Sequence, residues 1–141
     1  MKEDASDTTQ AEAMMLFDTD VLIWYFRGNE GAASFIESVP YEERATSSLC
    51  TMELIQGCQD KRELRTIKSF LQKNISTIVR PDRAVAEKAM ALLEVYTLSA
   101  GLRTVDSIIA ASAMVSRCAL VTANTRHFSV ISGLTVVRFI P

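Results

Sequence analysis

The amino-acid sequence predicts an α/β domain with a mostly parallel sheet of four to five strands and helices on both faces. Three observations favour this fold class. Short apolar segments alternate along the chain with longer segments of helical periodicity. Residues that cap helices stand at the ends of several of the longer segments. The chain has 141 residues, 48% of them hydrophobic, which suits one domain with a sizeable core.

The chain begins with a strand and two helices. The apolar run from Met14 to Phe17 predicts a buried strand. Apolar residues then crowd positions 21–26 and predict a helix that stops near Gly28. A second, short helix is expected from Gly31 to Ser38. Pro40 marks its end, because proline interrupts a helix.

The middle of the chain repeats this alternation. Residues 44–47 form a candidate strand, and Ser47 or Ser48 then starts a helix. Residues 61–71 are apolar at helical spacing, and residues 75–79 are rich in β-branched side chains. We therefore expect a helix followed by a third strand.

The second half of the chain carries the clearest capping residues. Asp82 opens a long helix that reaches Leu98, and Gly101 ends it in the left-handed conformation. Thr104 is predicted as the N-cap of the next helix, which is apolar almost all round. Two further strands, with a loop or short helix between them, are expected at residues 118–122 and 134–139.

The N-terminal residues differ from the rest. Residues 1–13 are polar, acidic and without apolar period, so we expect a disordered tail or an expression remnant before a single domain at residues 14–141. No apolar run approaches the roughly 18 residues of a membrane span, and the signal-peptide order of basic then apolar residues is missing. A soluble, cytoplasmic protein without membrane contact is therefore expected.

Charge is distributed unevenly along the chain. The formal net charge is −2, but residues 1–12 carry −3 and residues 13–141 carry +1. Binding of a polyanion would therefore need a local basic patch. One helical stretch offers such a patch, with the basic residues Lys61, Arg62, Arg65, Lys68 and Lys73. The same pattern is equally typical of a solvated helix face.

Cysteine and histidine usage excludes a zinc site of the usual kind. The cysteines, Cys50, Cys58 and Cys118, have no C-x-x-C spacing, and His127 is the single histidine. We interpret the cysteines as small buried or half-buried side chains.

Three acidic residues stand beside apolar segments. Asp18 ends the first strand, Glu53 lies about one turn inside a helix on or beside its apolar face, and Asp106 lies in the first turn of an apolar helix. Each alone is explained by a cap, a turn or an ion pair. Together, converging carboxylates repel one another, and a divalent cation such as Mg²⁺ or Mn²⁺ would offset that repulsion. Such a cation activates water and neutralises phosphate charge, which predicts hydrolysis of a phosphodiester.

Other polar residues are expected near these acids. The carboxyl ends of parallel strands share one edge of a sheet, so Thr122 and Asn124, which follow the fourth strand, should reach the same crevice as Asp18. Asp20 is two residues beyond Asp18 and is expected to bind free helix amides or to support a ligand from behind.

Four strings resemble the motifs of PIN-domain ribonucleases, and most closely the VapC toxins of type II (VapBC) toxin–antitoxin pairs. LFDTDVLIWYFRGN resembles their opening strand and helix, SSLCTMELIQGCQDKREL the acidic helix, LRTVDSIIAASAM the third motif and LVTANTRHF the fourth. The similarity spans residues 14–141. It implies a three-layer α/β/α sandwich, metal ligation by Asp18, Glu53 and Asp106, and supporting or substrate contacts from Thr19, Asp20 and Thr122.

The resemblance also implies a cofactor, a substrate and partners. These are Mg²⁺ or Mn²⁺, a structured RNA such as tRNA or ribosomal RNA, a VapB antitoxin whose tail covers the groove, and a second copy of the chain, with a larger toxin–antitoxin assembly beyond the dimer. The fourth motif departs from the fuller pattern: Asn124 replaces an Asp of many members and His127 an acid of some. One well-held metal is therefore expected rather than two. Asn124 would then be a neutral ligand, a catalytic group that orients water, or a purely structural loop residue.

Two alternatives remain open from the sequence. An apolar strand followed by Asp18-Thr19-Asp20 also resembles the haloacid dehalogenase phosphatases, in which Asp18 would be the nucleophile. No acidic pair follows Asp106, although that family needs one. A catalytically inactive PIN fold that binds RNA or protein is the second alternative.

Overall fold

A computed structural model describes residues 14–141 of the protein, and the predicted tail at residues 1–13 lies outside them. Within the described residues, helices and strands alternate as the sequence predicts. The five strands are β1 (Met14–Phe17), β2 (Arg44–Ser47), β3 (Thr77–Val79), β4 (Cys118–Thr122) and β5 (Val136–Arg138). The helices are α1 (Thr19–Phe26), α2 (Glu30–Ser38), α3 (Ser48–Gln56), α4 (Lys61–Asn74), α5 (Arg83–Ala100) and α6 (Thr104–Val115), with a 3₁₀ turn at Tyr41–Glu43.

The strands form one sheet in the order β3-β2-β1-β4-β5, and every described pairing is parallel. The chain builds outward from β1 to β3 and then crosses back to β4 and β5. The direction of winding therefore reverses between β1 and β4, which is where open α/β sheets bind ligands. The predicted α/β class, with its mostly parallel sheet of four to five strands, is confirmed.

Apolar side chains fill both faces of the sheet. Successive strand residues point to opposite faces, so Leu16 and Leu120 pack in one buried cluster and Phe17 and Val121 in the other. The first cluster is closed by α5 and α6 and the second by α1, α2 and α4. This arrangement is the predicted three-layer α/β/α sandwich.

Several helix boundaries follow the predicted caps. Ser47 accepts a hydrogen bond from the Cys50 amide at 3.1 Å, and Asp82 accepts one from Val85 at 3.0 Å. Gly101 ends α5 at φ 71°. The predicted cap at Thr104 is wrong by one position, because Arg103 is the extended residue before α6 and Thr104 is already helical.

Strands β3 and β5 are shorter than predicted. Each is an edge strand with a single neighbour, so the ladder reaches only residues 77–79 and 136–138. The segment between β4 and β5 consists of turns rather than a helix.

Other predicted features of the chain can be compared with the structure. Cys50 and Cys118 are buried and Cys58 is half-buried, as expected. Tyr25 and Phe26 pack on the Phe70 ring at centroid distances of 4.4 and 5.0 Å, so these aromatic residues of α1 serve the core. None of the helices described in residues 14–141 combines the length and apolarity required to cross a membrane.

Candidate active site

Two adjacent strands bring the first site residues together. Phe17 of β1 is in register with Val121 of β4, so Asp18 and Thr122 follow side by side at the carboxyl edge of the sheet. The Asp18 amide continues the ladder by donating to the Val121 carbonyl at 2.9 Å. The predicted convergence of Asp18 and Thr122 is therefore observed.

Asp18 is buried, with 8% of its surface exposed, and both of its carboxylate oxygens accept hydrogen bonds. Oδ1 accepts from the Thr19 amide at 2.8 Å and from the Cys50 thiol at 3.8 Å. Oδ2 accepts from the Thr122 hydroxyl at 2.8 Å. Burial raises the pKa of Asp18 to about 6, and the charges of Asp20 and Glu53 add to the rise while the Thr122 and Thr19 bonds oppose it.

Glu53 reaches the site from α3. The Thr19 hydroxyl donates to its Oε1 at 2.5 Å, so Thr19 bridges Asp18 and Glu53 through its amide and its side chain. The expectation that Glu53 lies on or beside the apolar face needs correction, because Glu53 is exposed while the next residue, Leu54, is buried. Glu53 therefore forms the solvent-facing side of the site.

Asp106 approaches from α6, in whose first turn it lies. Among residues 14–141 its carboxylate caps no backbone amide, so the capping explanation is wrong for the described part of the chain. Burial raises the pKa of Asp106, the nearby His127 lowers it, Glu53 raises it and Arg103 lowers it. The charge of Glu53 therefore acts on Asp106 across the site.

Asp20 binds the loop that follows β4 rather than its own helix. Its Oδ2 accepts from the Ala123 and Asn124 amides, each at 3.1 Å, and lies 3.3 Å from the Thr122 hydroxyl oxygen. Burial raises the pKa of Asp20. Asp18 supplies the N-cap of α1, and the predicted supporting role of Asp20 stays a prediction.

Asn124 enters the site through its backbone. Its amide donates to Asp20 and to the Thr122 hydroxyl oxygen at 3.0 Å, and the residue itself is exposed. The predicted role of its side chain as a neutral ligand or catalytic group stays a prediction.

The donor set fits a hard divalent cation. Thr19 joins Asp18 and Glu53, and the charge of Glu53 acts on Asp106. The one ion pair within residues 14–141, Arg83 with Glu87, lies exposed on α5, so among these residues the site acids have no cationic partner bonded to them. Among the described residues, no group of three or more acidic, histidine or cysteine side chains is placed to hold a metal ion. Mg²⁺ and Mn²⁺ keep several water ligands and bind through few carboxylates, so only the carboxylate chemistry of the site favours them.

The structure adds neighbours that the sequence did not single out. Cys50 touches Asp18, and Arg103 lies near Asp106. Cys50 lies on α3 with Glu53, and Arg103 directly precedes α6, which bears Asp106; these positions were the available signal. Nothing in their residue types separates them from ordinary core and surface positions.

A groove of about 710 Å³ runs from Glu53 between α1, α3 and α4. Its floor is apolar and consists of Ile23, Phe26, Leu54 and Ile67. Its rim carries Arg27 and Arg62 together with Asp60 and Glu63. We call this feature the α1/α4 groove.

A comparison with known protein families identifies the fold. The model of the PIN domain matches residues 15–134, which is most of the chain. The chain belongs to the PIN-domain family. A PIN-domain relative from Mycobacterium tuberculosis (strain H37Rv), Ribonuclease VapC19, is 33% identical over 124 residues, which cover 86% of this chain and 97% of that protein.

Solved structures agree with the PIN-domain assignment. A toxin-antitoxin complex from Klebsiella pneumoniae contains a chain that is 29% identical, with a TM-score of 0.74 over 89% of this chain and 99% of that one. VapBC2 from Rickettsia felis, bound to a DNA fragment from its promoter, matches with a TM-score of 0.76 over 90% and 99% of the chains. That match is 16% identical and shows the fold alone. The PIN-domain assignment replaces the haloacid dehalogenase alternative.

Proposed function

We propose that this PIN domain is a Mg²⁺- or Mn²⁺-dependent endoribonuclease that cleaves structured RNA, such as tRNA or ribosomal RNA, in the cytoplasm as the toxin of a toxin–antitoxin pair. One observation carries the proposal: Asp18 is buried beside Asp20 and Glu53, and no cationic partner within residues 14–141 is bonded to it. The likeness to a protein named as a ribonuclease supports RNA as the substrate.

The metal ligands in this proposal are Asp18, Glu53 and Asp106. The bound cation would lower the pKa of a water molecule and neutralise charge on the phosphate. Thr19 and Thr122 orient Asp18 through hydrogen bonds to different carboxylate oxygens. Thr19 also fixes Glu53 relative to Asp18. The chain thus holds its acids in place before the cation arrives, which lowers the cost of binding it.

Removal of the metal provides the direct test of this function. In a divalent-free buffer with EDTA, the wild-type chain is expected to leave total tRNA and ribosomal RNA intact, and excess Mn²⁺ should restore cleavage. The Mn²⁺ affinity measured by calorimetry should account for the concentration dependence of the rate. A chain that binds RNA but never cleaves it with Mn²⁺ or Mg²⁺ would instead be the inactive binding module.

The α1/α4 groove supports an antitoxin as partner. Its apolar floor and charged rim suit an amphipathic helix, whose apolar side would lie on Ile23, Phe26 and Ile67. Because Glu53 lines the same groove, a segment bound there also covers one side of the acidic site. The proposal therefore includes inhibition of RNA cleavage by an antitoxin segment that occupies the α1/α4 groove.

Thr66→Trp is expected to weaken antitoxin binding at least about tenfold, because the indole fills a groove that Thr66 lines as an exposed side chain. RNA cleavage by the free variant should stay close to wild type. Gln72→Trp is the matched control, since Gln72 is exposed on the same helix but does not line the groove. Surface plasmon resonance measures the affinity of both variants for the cognate antitoxin. Equal affinities for Thr66→Trp and Gln72→Trp would show that the antitoxin does not bind in the α1/α4 groove.

A homodimer completes the proposal. Helix α5 exposes Met90, Val95 and Leu98, which are 58%, 61% and 99% accessible in the single chain. Three large apolar residues on one surface helix favour a protein partner, here a second copy. Sedimentation of the isolated chain tests this part, and a single species at the monomer mass would remove it.

A further inference from the structure

The two carboxylate oxygens of Asp20 lie in different environments. Oδ2 collects the bonds from the loop after β4, namely the amides of Ala123 and Asn124. Oδ1 is buried, yet no donor among the described residues meets hydrogen-bond geometry with it. The nearby Val21 amide helps to lower the pKa of Asp20, but its hydrogen bond goes to the Asp18 carbonyl at 3.2 Å.

An unbonded, buried carboxylate oxygen is costly, and it needs a physical explanation. Asp20 shares the Thr122 hydroxyl with Asp18, which lies 2.8 Å from that hydroxyl oxygen against 3.3 Å for Asp20. A hydroxyl has one proton, so Asp18 takes it and Asp20 depends on the loop amides. The charge of Asp20 is also the strongest of the charges that raise the pKa of Asp18.

The bonds to the loop therefore account for Oδ2 of Asp20 but not for its Oδ1 or its charge. An asparagine would serve the two amides equally well through its carbonyl oxygen, without placing a second charge beside Asp18. The negative charge and the second oxygen of Asp20 would be useful if a hydrated cation bound at the carboxyl edge of the sheet. Carboxylates that do not touch a metal ion commonly accept hydrogen bonds from its water ligands.

We propose that Asp20 is a positioning residue of the metal site, whose Oδ2 fixes the loop after β4 and whose Oδ1 accepts a hydrogen bond from a water of the bound cation. This inference rests on the proposed function and extends it to a fourth carboxylate. Asp20 does not touch the cation. It raises cation affinity through its charge and through the water that it holds.

Two variants separate the charge of Asp20 from its contact with the loop. Asp20→Asn keeps an acceptor for the Ala123 and Asn124 amides and removes the charge, whereas Asp20→Ala removes both. Isothermal titration with MnCl₂ at pH 7.5 should give a dissociation constant about 10 to 100 times weaker for Asp20→Asn than for wild type. The ¹⁵N–¹H resonances of Ala123 and Asn124 should stay near their wild-type positions in Asp20→Asn and shift in Asp20→Ala.

Asp82→Asn is the matched control, because Asp82 is also a helix-start acid that accepts a backbone hydrogen bond, and it lies exposed at α5. Its Mn²⁺ affinity should equal that of wild type. Wild-type affinity in Asp20→Asn would overturn the inference and leave the proposed function standing. Displaced loop resonances in Asp20→Asn would also overturn it, since the affinity loss would then follow from a moved loop. Absence of Mn²⁺ binding by the wild type would instead remove the proposed function itself.

Discussion

Asp18→Asn is expected to slow metal-dependent RNA cleavage at least about 10²- to 10³-fold, the range that follows loss of one preorganised electrostatic contact in an active site. The variant keeps the side-chain shape and an oxygen that can accept from the Thr19 amide or the Thr122 hydroxyl. It removes the charge that we propose binds the cation. The defect should therefore persist at saturating Mn²⁺ and appear in the rate of cleavage, not in RNA affinity alone.

Initial rates on a defined tRNA fragment, with RNA affinity measured separately, test this expectation. Asp82→Asn again serves as the control, because it removes an exposed acid that caps α5 and follows β3 rather than β1 or β4. An Asp18→Asn chain that cleaves at the rate of the control would show that the reaction does not use Asp18. The ribonuclease proposal would then lose its central residue.

The same substitution is expected to stabilise the metal-free chain at neutral pH. The pKa of Asp18 is about 6 in the folded protein against an ordinary value of 3.8. The folded state therefore holds this proton more tightly, and stability falls as pH rises from about 4 through about 6. Asparagine has no proton to lose, so the free energy of unfolding should exceed that of wild type by about 3 kcal/mol at pH 7.5.

Urea unfolding in EDTA at pH 4 and pH 7.5 measures this effect. The difference between Asp18→Asn and wild type should be close to zero at pH 4 and large at pH 7.5. Excess Mn²⁺ should reverse the order at pH 7.5, because a ligand that binds only the folded state stabilises it by mass action. A pH-independent difference would mean that burial of the Asp18 charge does not cause it.

Local patterns were sufficient to predict the fold. The runs at β1 and β4 are apolar and short, and each is followed by polar residues, so their identity as buried strands required no tertiary information. Asp82 and Gly101 marked both ends of α5 because capping chemistry is local. The parallel order then brought Asp18 to Thr122.

Contacts that depend on packing between distant segments could not be predicted in the same way. A helix-start acid normally bonds to its own helix, and the partners of Asp20 are loop amides 103 and 104 residues further along the chain. The exposure of Glu53 depends on the rotation of α3, which Cys50 and Leu54 set by packing into opposite core clusters. The identity of the metal ligands stays a prediction, since it depends on a bound cation.

The pairing of Asp18 with Thr122 also determines when the site can exist. The two residues are 104 positions apart and become neighbours only when β4 pairs with β1. A nascent chain that has not yet emerged from the ribosome beyond β4 lacks this pairing, Thr122 and the anchored loop. The nuclease we propose would therefore stay inactive until β4 has emerged and paired with β1, and up to that point the ribosome and tRNAs that make it would not be exposed to cleavage.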